Sequence, residues 1–100
     1  MVGAPRENPS MLGYKVMSFE DGRLVSGADS RQSFPARVGE VVRMRGKGVY
    51  LSLGRQYVLD HYSGLADSEA LLTFEFDPKN ITFGNITDRE TEFAVSQAVL

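Results

Sequence analysis

The clearest alternation of apolar and polar side chains lies at Ala70–Phe76, where Leu72, Phe74 and Phe76 take one side and Leu71, Thr73 and Glu75 the other. A period of two marks a strand with one buried face. Leu12–Phe19 reads the same way, with Tyr14 and Val16 on one side and Lys15, Met17 and Phe19 on the other. Glu20-Asp21-Gly22 is a turn signal, and Arg23–Ser26 returns as the second arm of a hairpin. Val38–Met44 and the short Ile81–Phe83 are also read as extended, and Thr91–Val99 as the last strand. In that strand Phe93, Val95 and Val99 are expected in the core. Glu92, Ala94, Ser96 and Ala98 form the other face, one carboxylate with small side chains behind it, leaving room for something to lie across. Polar or turn-forming stretches separate these elements: Gly27–Pro35, Gly46-Lys47-Gly48, Ser63–Ser68, Asp77-Pro78-Lys79-Asn80, Gly84-Asn85 and Thr87–Arg89.

Between the two halves lies Val49–Leu53, whose Val49, Leu51 and Leu53 form an apolar face and whose Tyr50 and Ser52 face the other way, free to line a cleft. Ser52 is placed to cap a helix in which Tyr57, Val58, His61 and Tyr62 recur at helical spacing. A core strand and helix joined by a glycine turn is the plainer account of the same residues.

With 100 residues the chain makes one domain, here 11–100, preceded by an arm of ten residues with two prolines and no periodicity. No apolar run approaches the roughly 20 residues that cross a bilayer, so no membrane partner and a cytoplasmic location are expected. The chain contains no cysteine, which removes zinc-thiolate sites and cysteine nucleophiles, and one histidine, His61, is a poor start for a metal site. His61 is expected on the helix surface or at the core edge. The net charge of −2 is close to neutral, but residues 1–50 hold eight basic against five acidic side chains and residues 51–100 three against eight. If their segment is extended, Arg43, Arg45 and Lys47 share a face as a small basic stripe, to meet phosphate or to protect a solvated sheet edge.

Gly46-Lys47-Gly48-Val49-Tyr50 before a helix, with Glu92-Phe93-Ala94-Val95 farther along, resembles the ADP-ribosyltransferase family. In its poly(ADP-ribose) polymerase branch a glycine-lysine-glycine turn precedes an aliphatic-aromatic strand and a helix, and a later strand opens with the catalytic glutamate. Glu90-Thr91-Glu92 is similar to the glutamate-x-glutamate pair of the arginine-modifying branch, and Ser52 stands for part of that branch's serine-rich motif. The resemblance covers residues 12–19 and 43–99. It implies an α+β fold, split and mostly antiparallel sheets around a cleft with one main helix. It further implies NAD as the bound nucleotide, transfer of ADP-ribose to a macromolecular target, expected to be a protein, and Glu92 and Glu90 as the catalytic pair. Tyr50, Ser52, Lys15, Gly46 and Gly48 become the NAD-binding residues: Tyr50 as a wall for the nicotinamide ring, the glycines as points of close backbone approach. The chain departs from the family at three places. Tyr14-Lys15 stands where the first strand has a histidine or arginine, Arg43 where the polymerase branch has a tyrosine, and the full serine-threonine-serine motif is absent.

Two other functions fit the same residues. One is a protein-binding module that keeps the scaffold without chemistry. The other is a nucleotide- or RNA-binding domain using Arg43, Arg45 and Lys47, as RNA 2'-phosphotransferases share the wider fold. For Glu90 and Glu92 the plain alternative is a solvated turn entering a strand.

Overall fold

A computed structural model of the chain describes residues 10–25, 32–61, 67–87 and 91–100. Its longest strand, β1 (Met11–Glu20), turns at Asp21-Gly22 into β2 (Arg23–Val25), with Glu20 opposite Arg23. Asp21 and Gly22 have φ of 52° and 75°. Two consecutive positive φ values are what a two-residue type I′ hairpin needs, and an Asp-Gly pair adopts them at little cost. The expected hairpin therefore forms where its turn chemistry lies, although Ser26 is outside the described residues.

The stretch expected to be one loop to Pro35 is partly a strand. β3 (Ser33–Pro35) pairs with β2, placing Phe34 opposite Leu24. Pro35 is tolerated because β3 is an edge, where a missing N–H costs no ladder bond. Residues 27–31 of that loop lie outside the described residues. The expected strand at Val38–Met44 shrinks to β4 (Val41–Val42). Gly39 has φ of 92° and the Glu40 N–H donates to the Arg37 carbonyl, so the chain turns there and leaves Val38 exposed.

β5 (Val49–Ser52) leads into α1 (Arg55–His61), and β6 (Glu69–Phe76) follows. The alternation read at 70–76 holds: Phe74 and Phe76 are buried and Leu72 packs against the core, while Thr73 and Glu75 are exposed. Asp77 caps a single 3-10 turn, Pro78–Asn80, its carboxylate accepting from the Lys79 N–H at 2.9 Å. Then come β7 (Ile81–Phe83), β8 (Glu92–Val95) and β9 (Ala98–Val99). The last strand expected as one piece is thus two, broken at Ser96-Gln97. β8 pairs with β5 and β7, and β9 with β4 and β6.

Among the described residues all the strands pair antiparallel, in the order β4-β9-β6-β1-β5-β8-β7, with β2 and β3 hanging from β1. β9 and β8 stand four places apart in that order. In a flat sheet they would be separated by four strand spacings, roughly 19 Å. The three peptide links from Val95 to Ala98 reach at most about 11 Å. The sheet must curl until its two ends nearly meet, which makes the core its concave side. Leu24, Val42, Val49, Leu51, Phe74, Phe93 and Val95 are fully buried there. The result is a curled antiparallel sheet with one helix, α+β and mostly β. Among the described residues no helix is long and apolar enough to cross a membrane.

β1 is bound along eight register pairs to β6, from Met11 opposite Phe76 to Ser18 opposite Glu69, but meets β5 at one pair, Tyr14 opposite Ser52. No other register pair joins the two strands, although Gly13 of β1 still packs closely against Leu51 of β5. The sheet is therefore weakly seamed between β1 and β5.

Candidate active site

A hollow opens at this seam. It is lined by Tyr14, Lys15 and Val16 of β1, by Tyr50, Leu51 and Ser52 of β5, by Tyr57, Val58 and His61 of α1, and by Glu92 of β8. Consecutive residues of a paired strand point to opposite faces. A space lined by three in a row from each of two strands is the gap between those strands itself. α1 lies across it, with Val58 buried and Tyr57 and His61, four residues apart on one helix face, stacked with ring centroids 6.0 Å apart.

Each polar group reaches the hollow for a traceable reason. Tyr14, Ser52 and Glu92 form a row across β1, β5 and β8, since Ser52 is the register partner of both of the others. Register partners share a face, so Glu92 at the first position of β8 is carried to the seam by pairing alone. Tyr50, two residues from Ser52, lies on the same face, opposite Ala94. Its ring meets Phe83 edge-on at 6.4 Å, and Phe83 in turn carries the Lys47 ammonium over its face at 3.9 Å.

Ser52 does not cap α1 as expected. It is wholly buried within β5, and its hydroxyl accepts from the Gly54 N–H at 3.2 Å, closing a serine turn between strand and helix. Gly54 holds the capping position, its carbonyl accepting from the Val58 N–H at 3.0 Å.

Of the residues singled out in the sequence, Lys15, Tyr50, Ser52 and Glu92 come together. Gly46 and Gly48 do not line the hollow. Gly46 stands in an open turn, and Gly48 presses its backbone against the Val95 carbonyl of β8, so its close approach is to a neighbouring strand. Glu90 lies outside the described residues, as does Tyr62. The small face behind Glu92 is not open either: Ala94 and Ala98 are buried, the latter in the core. Tyr14, Tyr57 and His61, read in the sequence only as strand and helix-face positions and not as site residues, also line the hollow. With them, three of the chain's four tyrosines and its one histidine surround a single space.

The basic stripe dissolves as well. Gly46 has φ of 71° and the segment bends instead of extending. The Arg43 guanidinium donates twice to the Gln97 amide oxygen, at 3.1 and 2.8 Å, the Arg45 N–H donates to the Gln32 side chain, and Lys47 turns to Phe83. Of the three cations, Arg43 and Lys47 are each engaged by a neighbouring side chain.

Lys15 is the lysine that lines this hollow. Burial disfavours its ammonium and pulls its pKa below the usual 10.5, while the Glu92 carboxylate acts in the opposite direction and does not cancel the effect. The sign of the linkage follows. Between the lowered folded value and 10.5 the unfolded chain binds more protons than the folded one, so stability rises with pH in that window; below it the folded state bears the full cost of the buried charge. Lys15→Met is therefore expected to stabilise at neutral pH by about 1 kcal/mol, several degrees in Tm, and to flatten the alkaline rise. Urea unfolding of both proteins from neutral pH to just below 10.5 checks this. A loss of stability in the variant contradicts the assignment.

The enclosed space is about 20 Å³. That admits a water or a small functional group, so a larger ligand must lie along the mouth and insert one end. Among the described residues no group of three or more His, Asp or Glu side chains is placed to hold a metal ion. No protein family model, curated protein or solved structure matches this chain.

Proposed function

We propose that the nicotinamide-ribose end of NAD seats along the mouth of the hollow and that Glu92 promotes transfer of ADP-ribose to a macromolecular acceptor, a protein, in the cytoplasm. One observation carries this reading. Lys15, Tyr50, Ser52 and Glu92, drawn from three strands distant in the chain, line one space. Such a donor set suits this substrate. A carboxylate faces the positive charge that develops on the ribose as its bond to nicotinamide breaks, aromatic faces at Tyr50 and Tyr57 flank a planar ring, and a cation is at hand for an anionic group. The bonding pair leaves with the nicotinamide nitrogen. The acceptor's lone pair forms the new bond to the ribose carbon, and its proton passes to the carboxylate or to water. Lys15 supplies charge where the resembled family has histidine or arginine, but as a point charge without a bidentate fork. With about 20 Å³ enclosed, the rings lie along the mouth and only a small substituent of the reacting end enters.

The reading is tested by melting the protein with and without NAD. Ligand at about 100 times its dissociation constant raises stability by about 2.7 kcal/mol, an increase of over ten degrees for a domain of this size. An unchanged Tm at millimolar NAD sinks the enzyme. The tight hollow would then favour the second reading, a module that binds a protein partner on this scaffold without chemistry.

A further inference from the structure

We propose that Lys15 is a nucleophilic amine that condenses with an aldehyde presented in the hollow, forming an imine on its Nζ. The inference concerns the same hollow as the NAD reading but does not require NAD to bind there.

The geometry supplies both conditions that such an amine needs, access and the absence of a tight counter-ion. Among the described residues Lys15 makes no hydrogen bond and no ion pair within 4.0 Å, with Glu92 acting on it only through its field. No side-chain nitrogen or oxygen among them is both buried from solvent and unpartnered. Lys15 Nζ has no partner, so it keeps contact with solvent while the residue is half-buried at the lining of the hollow. This is the setting in which a lysine becomes reactive, because the surroundings disfavour the ammonium and leave more free amine at neutral pH.

The size and lining of the hollow select the electrophile. Some 20 Å³ admits a carbonyl group at the end of a chain but not a ring inserted whole. In the condensation the Nζ lone pair adds to the carbonyl carbon and the C=O π pair moves to oxygen. That oxygen receives protons and departs as water, and the nitrogen gives up its protons as C=N forms. Oxidant and reductant are not needed. Tyr14, Tyr57 and His61 also line the space and can carry those protons. Two sources present this group: a small free aldehyde, and the open-chain form of a ribose whose anomeric carbon is unsubstituted.

The chain has three lysines, Lys15, Lys47 and Lys79, and the last two are exposed. They serve as internal standards in the intact protein. The experiment treats the protein near neutral pH with cyanoborohydride and either glyceraldehyde or ADP-ribose, and maps the reduced adducts by peptide mass. Lys15 is expected to be labelled on the order of tenfold faster than Lys79, with the preference vanishing in concentrated urea. Labelling by both reagents assigns the shared aldehyde chemistry; labelling by only one identifies the source. Glu92→Gln removes the charge that favours the ammonium, so it is expected to speed labelling of Lys15, whereas the same change would stop NAD cleavage. The opposite signs keep the two readings separable. Labelling of Lys15 no faster than Lys79, a preference that survives urea, or slower labelling in Glu92→Gln overturns the proposal.

Discussion

On the proposed reading, Glu92→Gln is expected to lower NAD cleavage and ADP-ribose transfer by about 100- to 1,000-fold while moving Tm by no more than a degree or two. The first figure is the usual cost of removing one preorganised charge-stabilising group, about 3–4 kcal/mol of barrier. Gln has nearly the shape of Glu but brings no charge to the ribose, so binding of NAD should survive and kcat should fall more than KM rises. The second figure follows from the position of the side chain. Glu92 is exposed at the first residue of β8, held there by the backbone register of Ser52 and not by any contact of its own carboxylate with the core. Turnover by the purified variant within a few-fold of the parent would remove the acid from the mechanism.

Gly48→Ala is expected to be the most damaging single substitution to the fold. A Cβ at Gly48 would sit 2.1 Å from the Val95 carbonyl oxygen and 2.9 Å from its carbon, backbone atoms with nothing flexible to yield. Gly48 also has φ of 111°, which L side chains avoid. β5 and β8 would have to part by about 1 Å against a buried face containing Val49, Phe93 and Val95, a cost of about 3–5 kcal/mol. For a domain of this length that lowers Tm by roughly 15–30 degrees or prevents folding. Gly46→Ala is the matched control: φ is 71° but no atom lies within 4 Å of the added carbon, so only the conformational term of about 1 kcal/mol applies. Equal melting of the two variants would refute the steric account. Since Tyr50 and Glu92 ride on the two strands that must separate, any folded Gly48→Ala protein should also lose the proposed transfer activity.

What the sequence disclosed depends on the range of the interaction concerned. Asp21-Gly22 and Asp77-Pro78 announce their turns because the deciding physics lies within four residues. β6 is equally plain, since one face is buried along its length and the period of two survives. The break at Ser96-Gln97 is different in kind. Nothing local interrupts Glu92–Val99; the strand divides because a curled sheet requires its two halves to join opposite ends. Ala94 and Ala98 look like an open face for the same reason, their small side chains fitting a crowded interior rather than a cleft floor. Of the residues lining the hollow, Tyr50 and Ser52 are legible from strand alternation as cleft-facing, Glu92 from its place at the head of a strand, and Lys15 only through the resemblance. Tyr57 and His61 were visible as a helix face, but that this face covers a seam follows from β1 and β5 pairing at a single position, a long-range fact. Gly48 was legible as a residue of close approach; the partner, β8, was not.

The two-residue link between β8 and β9 has a further consequence for how the molecule assembles. Glu92 reaches the hollow only by pairing with Ser52, a residue remote along the chain, and the strand it heads continues after two residues into the opposite border of the sheet. Completing the site therefore depends on long-range pairings, which are slow to form.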